Sequence, residues 1–186
     1  MSTQAKPRGR NLGVRLAAWA GLTAFILSIP LIAMQFTAEV NWTASDFAFA
    51  GAMIMGVGVA YELAAMTGNA AYRAAAGLAL AAAFLTIWTT GAVGIIADEG
   101  HPGNLMFLGV LAIALAGSVV ANSKAAGMAR AMFVAAGAQA LVALIATLYR
   151  MGEPVEVLGA CGFFIVLWTL SGLLFRRAAQ KPSSVA

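Results

Sequence analysis

The sequence predicts an all-α integral membrane protein, a six-transmembrane-helix bundle with both termini cytoplasmic. Three observations predict it. Of 186 residues, 62% are hydrophobic and only 10% are charged, whereas soluble domains carry about 25% charged residues, so this chain lacks the material for a water-facing surface. Six apolar runs divide it, and about 20 apolar residues in a helix cross a hydrocarbon core of ~30 Å. Ten of the eleven Lys and Arg residues fall at connections on one side of those runs. That asymmetry fixes orientation, because basic flanks are retained in the cytoplasm.

The predicted spans are 16–37, 47–66, 74–97, 105–121, 131–149 and 157–175, within a transmembrane domain of 16–177. A basic cytoplasmic tail over 1–15 precedes it and a second tail, 178–186, follows. The first dozen residues and 181–186 are polar and expected to be disordered. Lys6, Arg8, Arg10 and Arg15 precede the first span. Its apolar run of about 22 residues exceeds the roughly 7–15 of a signal peptide, so a retained helix is expected. Pro30, with Ser28 two residues earlier, predicts a kink in the outer half of that helix.

Ser45-Asp46 sits where the second span should be capped. Thr67-Gly68-Asn69 closes that span, with Gly68 suited to a left-handed C′ position. Arg73 follows on the basic side. His101-Pro102-Gly103 separates spans three and four, since proline disfavours helix at the residue before it, and Asn104 sits at the next cap. Lys124 and Arg130 lie between spans four and five, and Arg176, Arg177 and Lys181 follow span six. The opposite side holds only Arg150 among basic residues, with Glu39, Asp46, Asp98, Glu99, Glu153 and Glu156. Nucleic acid is not implied by the net charge of +4, because the basic residues are short clusters at span ends rather than one patch.

Glu62 is the acidic residue of the basic side, about one turn inside the end of span two. An intramembrane carboxylate costs roughly 2.5–3.5 kcal/mol near a helix centre, so it needs a partner. It shares a helical stripe with Gly51, Met55, Gly58 and Ala65, whose small members let a neighbouring helix approach. A structural ion pair is expected, with Arg73 as first partner and Arg130 as alternative; a proton or cation site is the rival reading. On the other side Asp98, Glu99 and His101, with Glu39 and Asp46, form a weak candidate set for a divalent cation. Their spacing matches no metal motif, and solvated loop charge or helix caps explain the same residues.

Thr89 and Thr90 beside Trp88, and Gln139 in mid-span, are candidate cavity-lining positions or helix-to-helix hydrogen bonders. Trp19, Trp42, Tyr61, Tyr72 and Tyr149 fall near span ends, where an interfacial ring is favoured. The single cysteine, Cys161, excludes an intramolecular disulfide and reads as a packing residue. One histidine excludes bis-histidine haem within one chain, and no Walker loop, HExxH or Gly-x-Ser-x-Gly is present. No catalytic residue and no cofactor is therefore expected.

The segments 29–37 (Ile-Pro-Leu-Ile-Ala-Met-Gln-Phe-Thr), 39–42 (Glu-Val-Asn-Trp) and 91–96 (Gly-Ala-Val-Gly-Ile-Ile) resemble a group of small, mostly uncharacterised bacterial multi-spanning inner-membrane proteins. The resemblance implies a bacterial cytoplasmic-membrane location and carries over no functional residue. The expected role is non-enzymatic: a scaffold, accessory subunit or small binding module, its partners the lipid bilayer, a second copy or other membrane proteins. The alternative is a channel or transporter for a small solute, with Glu62 as its polar site, and a third reading is a membrane enzyme or metal-sensing module using Asp98, Glu99 and His101.

Overall fold

A computed structural model describes residues 8–67, 69–98 and 100–180. Among them every regular element is helical: α1 (Arg8–Ala33), α2 (Ala44–Thr67), α3 (Ala70–Ala92), α4 (Leu105–Ala121), α5 (Ala125–Leu148) and α6 (Pro154–Gln180), with a 3-10 turn at Pro102–Asn104. Six helical stretches are long and apolar enough to cross a membrane, the fourth reaching that length only with the 3-10 turn included, as Pro102–Ala121. The chain divides into two compact units, Met1–Leu63 and Ala64–Ala186, each described by itself below.

Several boundaries differ from the sequence expectation, each for a physical reason. Helix α1 starts at Arg8, inside the expected tail, and ends at Ala33 instead of 37. Beyond Ala33 the chain tightens into turns, with Gln35 N–H on Ile32 O and Phe36 N–H on Ala33 O, both 2.9 Å. Helices α5 and α6 likewise run past the apolar limits, because Lys and Arg can stay helical while their charged ends reach toward water. Gly68, for which a left-handed cap is expected, and residues 1–7 and 181–186, for which disorder is expected, lie outside the described residues.

In the first unit, α2 is capped by Thr43 rather than by Ser45. The Thr43 N–H donates to the Asp46 carboxylate (2.7 Å), and Asp46 N–H returns to Thr43 Oγ1 (3.4 Å). This is a reciprocal capping box. Along α2, Ala50, Ile54, Gly58 and Glu62 are buried at four-residue spacing, which puts them on one face. That face meets α1: a methyl added at Gly51 would touch Leu27, and one at Gly58 would lie 2.5 Å from the Trp19 ring. Only glycine admits the indole at that distance. Most of the remaining α1 surface is exposed and apolar, including Val14, Phe25, Ile29 and Ile32.

In the second unit, α6 packs between α5 and α3, while α4 packs on α5. The α4–α5 corner is sharp. Asn122 and Ser123 both take left-handed backbone angles (φ 44° and 59°), and Lys124 then begins α5. Close approach follows from small residues, since a methyl at Gly117 would lie 2.7 Å from Ala131 Cβ. Helices α3 and α6 run antiparallel. Asn69 Nδ2 donates to Ala178 O (3.3 Å), and Ser171 Oγ donates to Ala75 O (2.9 Å). At the far end Gly152 lies against Ala97, so the α3–α4 and α5–α6 connections meet. The unit thus carries Arg73, Arg176 and Arg177 at one end and Asp98, Glu153 and Glu156 at the other.

Tyr72, near the start of α3, turns its ring into the protein. It is buried, edge-on to Phe175 at 4.9 Å between ring centroids. Cys161 is fully buried in the core, as a packing residue should be.

Candidate functional site

The candidate site of the first unit is the carboxylate of Glu62, 6% exposed at its side chain. Glycine at position 58, one turn before it, lets Trp19 of α1 lie flat against α2. From there the indole Nε1–H donates to Glu62 Oε1 at 3.1 Å. One turn earlier on α1, Arg15 Nε approaches Oε2 at 2.7 Å. The Arg15 N–H does not point squarely at that oxygen, so the attraction is a close charge pair more than an aligned hydrogen bond. Tyr61 closes the edge of the indole, with ring centroids 6.3 Å apart.

The sequence points to Arg73 or Arg130 as the partner of Glu62; the structure supplies Arg15 instead. The small-residue stripe is the signal that could have found it, since a face shaped for a neighbouring helix carries the carboxylate to that helix. Arg15 is 46% exposed. Its guanidinium is thus half-exposed while it neutralises a charge that is buried. A carboxylate accepting an indole N–H and facing a guanidinium has two of its needs met. Its chemistry is that of an ion-pair clasp between two helices.

The candidate metal residues give a different picture. His101 uses Nδ1 to accept the Gly103 N–H at 3.1 Å, which caps the 3-10 turn. Asp98 is exposed, and Glu99 lies outside the described residues. Among the described residues no three His, Cys, Asp or Glu side chains cluster as a metal would require.

This connection contains a residue whose role the sequence does not reveal. Asn104 is placed as a cap of α4, but its side chain makes no capping bond there. It is 3% exposed, turned inward. Its Oδ1 accepts from Ile95 N–H (3.0 Å) and Ile96 N–H (2.8 Å), and its Nδ2 donates to Ile96 O (3.2 Å) and Asp98 O (2.7 Å). One carboxamide thus satisfies a whole non-helical segment. That is why α3 ends at Ala92 rather than 97: Ile95 and Ile96 can leave the helix and enter the core with their amides paired. Gly94 (φ 81°) and Ala97 (φ 53°) make the bends.

Two of the polar side chains, Thr86 and Gln139, are fully buried. Thr86 Oγ1 donates to Ala82 O (2.8 Å) and Thr89 Oγ1 to Leu85 O (2.6 Å), both within their own helix rather than between helices. Gln139 has 0% exposure and is closed to water; its amide makes no well-aligned hydrogen bond and interacts with the buried thiol of Cys161. Thr90 is partly exposed as a residue, although its hydroxyl is buried. Among the described residues no hydrogen bond joins Thr89, Thr90 and Gln139 to one another.

Six long apolar helices, two compact units and one buried clasp define a chain with the build of a multi-pass membrane protein. Comparison with known proteins finds no matching family, no curated relative and no solved structure of similar fold.

Proposed function

We propose that the chain is a multi-pass protein of a bacterial cytoplasmic membrane, both ends inside, acting without catalysis as a scaffold, accessory subunit or small binding module. The observation that carries this reading is the state of Glu62. A transport carboxylate must exchange partners with solvent or cargo, whereas this one is buried under Trp19 and held against Arg15. The closed environment of Gln139 and Thr86 supports the same reading, because a conducting path needs polar groups that water can reach. Exposed apolar residues along α1 and α4 suit contact with lipid or with another membrane helix.

Orientation rests on charge. In the second unit Arg73, Arg176 and Arg177 share an end, and the opposite end is acidic, which favours the basic end inside. The test is reconstitution. Purified protein in nanodiscs should self-associate or bind membrane-protein partners reproducibly, and in proteoliposomes Glu62→Gln should leave solute permeability at the level of protein-free vesicles. A strictly monomeric particle with turnover, or a solute flux abolished by Glu62→Gln, would defeat the proposal.

A further inference from the structure

A cleft of ≈ 500 Å³ opens on the surface of the second unit between α3 and α6. Four leucines line it, Leu78 from α3 and Leu170, Leu173 and Leu174 from α6, and Arg176, Arg177 and Gln180 form its polar end. Positions 170, 173, 174 and 177 share one face of the helix and extend about 10 Å along it. The adjacent face of α6 is committed to packing through Ser171, bonded to α3, and Gly172, against Phe133. The Asn69–Ala178 hydrogen bond fixes the end of α6 to the start of α3, so the arginines hold their place relative to the leucine floor. Among the described residues neither Arg176 nor Arg177 has an ion-pair or hydrogen-bond partner, and both are exposed.

We infer that this cleft seats one anionic phospholipid, an acyl chain along the leucines and the headgroup phosphate on Arg176 and Arg177. The inference rests on the membrane placement proposed above and goes beyond it by naming a bound molecule. Charge complementarity selects the occupant. Two adjacent guanidiniums offer forked donors that match phosphate oxygens, and basic pockets between helices on the cytoplasmic side suit anionic headgroups. A choline headgroup would bring a third cation to the same place. Bulk lipid solvating a helix end shows no such selection, and that difference is measurable.

The experiment is native mass spectrometry of delipidated full-length protein in detergent, offered phosphatidylglycerol and phosphatidylcholine with identical chains in equal amounts. The wild type should retain one phosphatidylglycerol per chain with roughly thirtyfold preference, the order expected for two arginines near a membrane surface. Arg176→Ala with Arg177→Ala should bring the preference to about parity, and Arg130→Ala, a basic change outside the cleft, should leave it intact. Leu170→Trp, which fills the leucine floor without touching charge, should lower retention of both lipids. If the double alanine variant fails to fold, Arg176→Lys with Arg177→Lys keeps the charge, loses the fork and should retain only part of the preference. Equal retention of the two lipids by the wild type would overturn the inference. So would an unchanged preference in the arginine variants, or full displacement by inorganic phosphate. Carbonate extraction of wild-type membranes tests the placement separately, since a protein released by carbonate fails there and not at the cleft.

Discussion

Removing Arg15 should damage the protein more than neutralising Glu62, and the second change should rescue the first. Taking one partner from a buried ion pair costs about 3–5 kcal/mol, because a charge is left unpaired in a poorly polar place. Arg15 is 46% exposed, whereas Glu62 is 6% exposed. Solvent screening on the arginine side lowers the expected cost of Arg15→Ala to about 1–3 kcal/mol. Glu62→Gln is milder. The amide keeps an oxygen for the Trp19 indole and carries no charge, and Arg15 is free to face water, so about 0.5–1.5 kcal/mol is expected. The double variant holds no buried charge and should resemble Glu62→Gln alone, more stable than Arg15→Ala. Unfolding of the four proteins by SDS in mixed micelles, followed by tryptophan fluorescence, closes the cycle. A double variant less stable than either single change would refute the clasp.

Other changes should give signs as distinct. Gly58→Ala places a methyl 2.5 Å from the Trp19 ring, so the indole must move and the expected cost is about 1–3 kcal/mol, with a shifted tryptophan emission. Asn104→Ala leaves the amides of Ile95 and Ile96 buried without acceptors; it should cost about 2–5 kcal/mol and open the 93–104 segment to protease. Gln139→Leu replaces a buried amide that makes no well-aligned hydrogen bond and meets only the weakly polar Cys161 thiol, and should be neutral or stabilising in thermal unfolding. Ser171→Ala removes the bond to Ala75 and should cost about 0.6 kcal/mol, the average for such bonds between membrane helices.

The spans were legible because length and apolarity act locally, and so was the face of α2, because helical periodicity places Gly51, Gly58 and Glu62 together. The partner of Glu62 was not. Arg15 lies 47 positions earlier in the chain, and nearness in sequence favoured Arg73. Asn104 misled for a related reason: asparagine at a helix start reads as a cap, and nothing local shows that its amide turns back to a segment eight residues earlier. The end of α3 was hidden too, since Val93 to Ala97 is as apolar as the helix before it. Hydropathy measures burial, and those residues are buried without being helical. The clasp was thus half visible: its acid was in view, and its base was a tertiary fact.

The proposed role requires the chain to cross a bilayer with its basic ends inside. Native Cys161 is fully buried, so single cysteines can be introduced with little background and tested with a membrane-impermeant maleimide on intact cells. Cysteine at Asp98 or Glu153 should label without lysis, and cysteine at Arg73 or Lys124 should label only after it. Labelling of Lys124→Cys in intact cells with protection of Asp98→Cys would contradict the account.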